Sequence, residues 1–125
     1  MTFKFNPLTG ELDLFQRRSN DPATSIWTRF TVTASASSSS IIDQVALSGF
    51  SSLKYIVSIE DNGRVKTQEL LVCNDNGDIK DAVFGRLGAS INFAITSIAN
   101  AGNFELQFTN NETNNLNINI ARLVL

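Results

Sequence analysis

Five carboxylates stand beside the turn signals of this chain: Glu60, Asp61, Asp75, Asp78 and Asp81. A glycosidase would need two of them across a cleft, one with a raised pKa. Nothing in their spacing selects such a pair, and turn chemistry accounts for residues of this kind. The run Asn74-Asp-Asn-Gly-Asp78 is rich in oxygen ligands. An EF-hand loop, however, needs glycine at its sixth position and glutamate at its twelfth. Here glycine is fourth and Gly85 takes the twelfth place, so a bare hairpin turn is expected. The chain has no histidine and one cysteine, Cys73. That removes Ser-His-Asp and Cys-His catalysis, histidine–metal sites, and zinc or iron–sulfur sites within one chain. Cys73 is expected to be a small apolar residue in a strand. No glycine precedes a lysine and no G-x-G-x-x-G occurs, so no phosphate loop is present. The sequence therefore predicts no enzyme, no cofactor and no metal site.

Length and charge narrow the remaining classes. The 125 residues suit one domain with a core of its own. Net charge is −2 with no basic block, which argues against nucleic acid as a partner. No apolar run approaches the ~20 residues of a spanning helix, so no membrane role is expected. No secretory signal pattern opens the chain, which places its synthesis and assembly in the cytosol. Ser, Thr and Asn stand where a helical bundle would have Glu, Lys and Ala.

Periodicity gives the architecture. Phe30, Val32 and Ala34 alternate with polar neighbours over Thr28–Ala36. A serine-rich loop is expected over Ser35–Ser40, then a strand over Ile41–Leu47 with Val45 and Leu47 inward. Leu53–Ile59 alternates most cleanly, and Asn62-Gly63 after it is the strongest short hairpin signal. Val65–Asn74 returns, with Leu70 and Val72 on one face and Leu71 and Cys73 on the other, a pattern that fits a strand covered on both sides. Ile79–Phe84 follows, closed by a turn at Gly85–Gly88. Ile91–Ile98, Phe104–Thr109 and Leu116–Val124 complete the set, with a polar loop at Asn110–Asn115. The reading is an all-β, antiparallel β-sandwich of about eight strands, jelly-roll-like, over residues 26–125. Tyr55, Phe84, Phe93, Phe104 and Phe108 are assigned to its core. Phe50 is left as a loop aromatic that a sugar could use. Many outward positions are neutral Ser, Thr or Asn, which permits packing against further copies.

Residues 1–25 form an extended N-terminal arm and linker in this reading. Phe3 and Phe5, then Leu12 and Leu14, alternate with polar residues around Asn6-Pro7-Leu8-Thr9-Gly10. Pro7 fixes φ and Gly10 accepts positive φ, so a small ribbon with one apolar face is expected. A lone hairpin is marginal in water, so that face must lie on something. Phe3, Phe5, Leu8, Leu12 and Leu14 are the candidate partner-binding residues. Trp27, at the junction of linker and first strand, either joins them as an interface anchor or caps the end of the sandwich.

The run Phe3-Lys-Phe-Asn-Pro-Leu-Thr-Gly-Glu-Leu-Asp-Leu14 resembles the opening of many tailed-bacteriophage virion structural proteins, which begin F-K-F-N-P-L-T-G-x-L-D-L. The likeness covers about a tenth of the 125 residues. Phe15 departs from it, since the pattern more often has Val there. The motif precedes head-decoration, neck and fibre proteins alike. The resemblance implies a virion component assembled in the host cytoplasm, most simply a capsid decoration (cement) protein bound to the major capsid protein. It further implies a homo-oligomer, with a trimer expected. The alternative is a tail fibre, spike or neck adaptor module that binds carbohydrate through sandwich loops.

Overall fold

The structure, a computed structural model, describes residues 27–125. The five candidate residues of the arm, Phe3, Phe5, Leu8, Leu12 and Leu14, lie outside the described residues. Eight strands follow in order: β1 (Trp27–Ala34), β2 (Ser38–Ala46), β3 (Ser52–Asp61), β4 (Arg64–Asp75), β5 (Asp78–Gly88), β6 (Phe93–Asn100), β7 (Asn103–Asn110) and β8 (Leu116–Val124). They pair antiparallel into a five-stranded sheet, β1-β8-β3-β4-β5, and a three-stranded sheet, β2-β7-β6. The all-β sandwich read from the sequence is thus present. Its jelly-roll character lies in the chain crossing between sheets after β1, β2, β5 and β7. The split is uneven because β3, β4 and β5 stay together as a meander.

Two-residue turns hold that meander. Asn62-Gly63 and Asn76-Gly77 both take left-handed φ, 50° and 84° in the first and 54° and 92° in the second. This is the type I′ geometry whose twist matches antiparallel strands. A third such turn joins β6 to β7 at Ala101-Gly102, with φ 52° and 83°. Alanine in that position carries a steric cost that asparagine largely escapes.

The core is apolar side chains from both sheets. Leu53, Tyr55, Val57 and Ile59 of β3 are fully buried, as are Phe104, Leu106 and Phe108 of β7. Tyr55 stacks on Phe104 with ring centres 6.2 Å apart, and Phe50 meets the same ring edge-on at 5.9 Å. Phe93 stacks on Phe108 at 5.2 Å. Phe50 is therefore a core residue, which withdraws it from the sugar-contacting role that its loop position allowed.

The structure corrects several boundaries and one core assignment. Ser38–Ser40 belong to β2, not to a loop: they pair with Asn110, Thr109 and Phe108, and the hydroxyls of Ser39 and Thr109 share a 2.8 Å hydrogen bond. A run of serines carries no apolar alternation, so periodicity missed it. Gly85–Gly88 continue β5 rather than turning. Gly88 takes φ +112°, and a Cβ there would meet the Val65 carbonyl oxygen at 2.2 Å, so backbone proximity explains that glycine. Phe84 is not core; it is 63% exposed. It sits where the β4–β5 register shifts, between the Glu69–Gly85 and Leu70–Val83 pairs. The outer side of β4, expected to be covered, leaves Leu71 and Cys73 exposed.

Replacing Ala101 by Asn should relieve the left-handed strain. The expected gain is about 0.5–1 kcal/mol in urea unfolding, with no change in denaturant slope.

Candidate assembly surface

The carboxylates singled out in the sequence do not converge. Asp61 is buried and paired with Arg64, and it accepts from Asn114 Nδ2 at 3.4 Å. Glu60 accepts from Asn119 Nδ2 at 3.0 Å on the outer sheet face. Lys80 lies 2.7 Å from Asp78 and 3.8 Å from Asp75. Its hydrogen bond to Asp78 raises the lysine pKa above the ordinary value. Asn74 is a structural residue of the turn. Its Nδ2 donates to the Leu47 and Phe50 carbonyls, and its Oδ1 accepts from Gly77 N–H. Among the described residues, no group of three or more His, Cys, Asp or Glu side chains could hold a metal ion.

A polar cluster that no motif announced lies between the sheets. Asp43 on β2 accepts from Tyr55 Oη at 2.5 Å and from Arg122 Nη1 at 2.8 and 3.0 Å. Tyr55 sits on β3 and Arg122 directly opposite it on β8. The Arg122 guanidinium also lies 5.8 Å from the Phe30 ring centre, while its Nε is buried without a partner. Burial, and then the Asp43 carboxylate, hold the Tyr55 phenol far above the usual tyrosine range. A neutral phenol and a paired carboxylate can bind the sheets together; neither is aimed at a cleft. Asn110 has the same kind of role at one end of the sandwich. Its Nδ2 donates to Ala34, Ser35 and Asn114 carbonyls, and its Oδ1 accepts from Glu112 N–H. Asp43 and Asn110 look in sequence like ordinary loop or surface polar residues, and only the pairing of distant strands exposes their function.

The outer face of the large sheet mixes apolar and polar rows. Register places Trp27, Leu123, Lys54, Leu71 and Ala82 in one row across the outer face of the large sheet. Arg29, Ala121, Ile56, Glu69 and Gly85 form the next row, and Thr31, Asn119, Ser58, Thr67 and Leu87 the one after. Ala121 is the small residue in a shallow depression of about 430 Å³ edged by Arg29, Ile56 and Asn119. Trp27, at 38% exposure, opens the first of these rows. It is on the outer face of β1, not over the end of the core.

The inner face shows where cover stops. Leu53 and Val72 are fully buried, and the next residue in their row is Asp81, exposed. Tyr55 and Leu70 lead to Val83, exposed; Val57 and Gln68 lead to Arg86, exposed. Apart from Ile79, every residue of β5 is exposed on whichever face it points to. Its free edge pairs with no other strand among the described residues. It carries Val83, Phe84 and Leu87, the last 77% exposed.

Deleting the Asp43 carboxylate tests the cluster. Asp43→Ala leaves the Arg122 charge largely buried without its partner, and should cost about 3 kcal/mol. Tyr55 is the chain's one tyrosine, so absorbance titration reports it alone. The folded state keeps the phenol proton where the unfolded chain releases it. The contribution of Tyr55 to stability is therefore whole below about pH 10 and falls above it by ~1.4 kcal/mol per pH unit. Tyrosinate should appear only together with unfolding; a phenol titrating near its ordinary value in folded protein would contradict the cluster.

Neither a protein-family model nor a curated protein sequence matches the chain. Among solved structures, the tailspike protein of Acinetobacter baumannii phage AM24 is similar at a TM-score of 0.44 and 6% identity, over 79% of this chain and 26% of that one. The tailspike protein of Acinetobacter phage vB_ApiP_P1 is similar at 0.45 and 15% identity, over 91% of this chain and 25% of that one. The chain thus spans about a quarter of the length of each tailspike.

Proposed function

We propose that the chain is a structural component of a bacteriophage virion, working by burying sheet surface against other virion chains rather than by chemistry. The observation that carries this reading is the outer face with its bare β5: a row of Trp27, Leu123, Leu71 and Ala82, interrupted only by Lys54 and ending at an uncovered strand. Surface of this kind marks association. The phage setting rests on the opening Phe3–Leu14, whose resemblance is to virion proteins. The arm residues Phe3, Phe5, Leu8, Leu12 and Leu14 act as an anchor in this proposal, and the chain works as a homo-oligomer. Three arms brought together by a trimer would multiply weak contacts through effective concentration.

The component within the virion is a tail spike, fibre or neck module, or a head-decoration protein on the major capsid protein. The loops disfavour sugar stacking: the loop aromatic Phe50 is in the core, and the serine-rich end of the sandwich offers only hydroxyls and amides. Protein contacts are the better use of this surface in either setting.

Mass spectrometry of purified particles tests the proposal. The chain should be present, in many copies for decoration and in few for a spike, fibre or neck; its absence from particles would sink the reading. Leu71→Glu should leave unfolding within about 0.5 kcal/mol of wild type yet abolish incorporation. Deleting residues 2–14 should likewise spare the sandwich and release it from its partner. Unimpaired incorporation of both variants would remove the assembly surface from the account.

A further inference from the structure

We infer that β5 is a self-pairing edge: the five-stranded sheets of two copies join antiparallel through β5 about a twofold axis normal to the sheet. The inference stands on β5 alone and holds whatever particle the chain serves.

The strand Asp78–Gly88 is an edge with its outward N–H and C=O groups open to a further strand. Which residues point where follows from its pairing with β4. Ile79, Asp81, Val83, Arg86 and Gly88 share the inner face, opposite Asn74, Val72, Leu70, Gln68 and Lys66. Lys80, Ala82, Gly85 and Leu87 share the outer face. Phe84 is the extra residue at the register shift, and it reverses the odd–even parity of the strand.

That reversal selects the register. In an antiparallel pair, residues directly opposite share a face. A copy of β5 placed with Val83 opposite Phe84 of the second copy sets Asp81 opposite Arg86, inner face to inner face. It also sets Ala82 opposite Gly85 and Lys80 opposite Leu87, outer to outer, and Ile79 opposite Gly88. Nearly the whole strand is used. Without the bulge, the same alignment would put every side chain opposite one on the wrong face. The neighbouring alignments, two residues to either side, fail. One sets Arg86 opposite Ile79 and Asp81 opposite Phe84; the other sets Arg86 opposite Val83.

The charges complete the fit. Asp81 and Arg86 have no ion pair or side-chain hydrogen bond among the described residues, although every other acid or base of the β4–β5 turn is engaged with Lys80. The twofold supplies each with the other, twice. Between these two pairs the axis gathers Val83 and Phe84 from both copies, four exposed apolar side chains of the uncovered strand.

Charge reversal tests the pairing on the full-length chain. Asp81→Arg puts two like-charged contacts across the axis, and so does Arg86→Asp. Each variant alone should self-associate at least about tenfold more weakly than wild type by sedimentation equilibrium. Mixing the two restores both contacts, one in the native sense and one with its sign reversed, so the mixture should regain the wild-type assembly mass, doubled relative to either variant alone. Folding defects cannot produce that rescue. A second readout uses Lys80→Cys mixed with Leu87→Cys, both carrying Cys73→Ser; a short bis-maleimide should link them into a covalent pair. Wild-type protein with no doubling at millimolar concentration, or single variants that associate as wild type does, would overturn the inference. So would a mixture that fails to regain mass.

Discussion

Three strands cannot roof five. Facing sheets pack about 10 Å apart, and each strand occupies about 4.8 Å of width, so the sheet β2-β7-β6 leaves an overhang wherever it is placed. Everything unusual about this molecule follows from that mismatch. The inner-face row Ile120, Val57 and Gln68 is buried across β8, β3 and β4, and cover stops at the exposed Arg86 of β5. An apolar strand that has no second sheet below it must either stay wet or be covered by something outside the described residues.

Where the overhang falls is fixed by polar contacts rather than by hydrophobic packing, which is non-directional. Asp43 on β2 binds Tyr55 on β3 and Arg122 on β8 at once. Those three groups pin the small sheet to β8 and β3 of the large one. Phe30 and Val32 of β1 are half-buried as a result, while Val83 and Arg86 of β5 are exposed. Sliding the small sheet toward β5 would cover that strand, but it would strand a buried carboxylate and guanidinium. That cost is several kcal/mol, more than covering one further apolar side chain returns. The clamp thus determines which edge is open.

Much of the strand pattern was legible, because alternation at period two survives wherever one face is buried. Leu53–Ile59 and Phe104–Phe108 announced themselves in this way, and Asn62-Gly63 and Asn76-Gly77 marked their turns. What failed were the places where burial and alternation part company. Phe84 reads as core because phenylalanine usually is, yet it sits at a bulge on an uncovered strand. Ser38–Ser40 read as a loop because serines have no apolar phase to display. Ile42, buried beside a register shift, was passed over for the same reason in reverse: the bulge between Ile41 and Asp43 breaks the parity that would have placed it inward. The clamp was not legible at all, since Asp43 and Arg122 are 79 positions apart. The anchor residues of the arm rest on sequence alone, and of the candidate site only Trp27 falls within the described structure.

An open strand is a hazard unless it discriminates. Charge on β5 supplies the discrimination that a smooth apolar edge would lack. A foreign strand brought against it must satisfy Lys80, Asp81 and Arg86 in that order and accommodate a bulge between the last two. Few edges can, because unpaired charges facing apolar side chains are expensive. Asp81 and Arg86, which repel a random partner, meet each other in one particular pairing, while Lys80 keeps its partner Asp78 within the chain. In the proposed self-pairing, that arrangement reconciles solubility before assembly with a specific contact afterwards. It achieves this with an eleven-residue strand and no chemistry beyond charge, shape and the parity of a single extra residue.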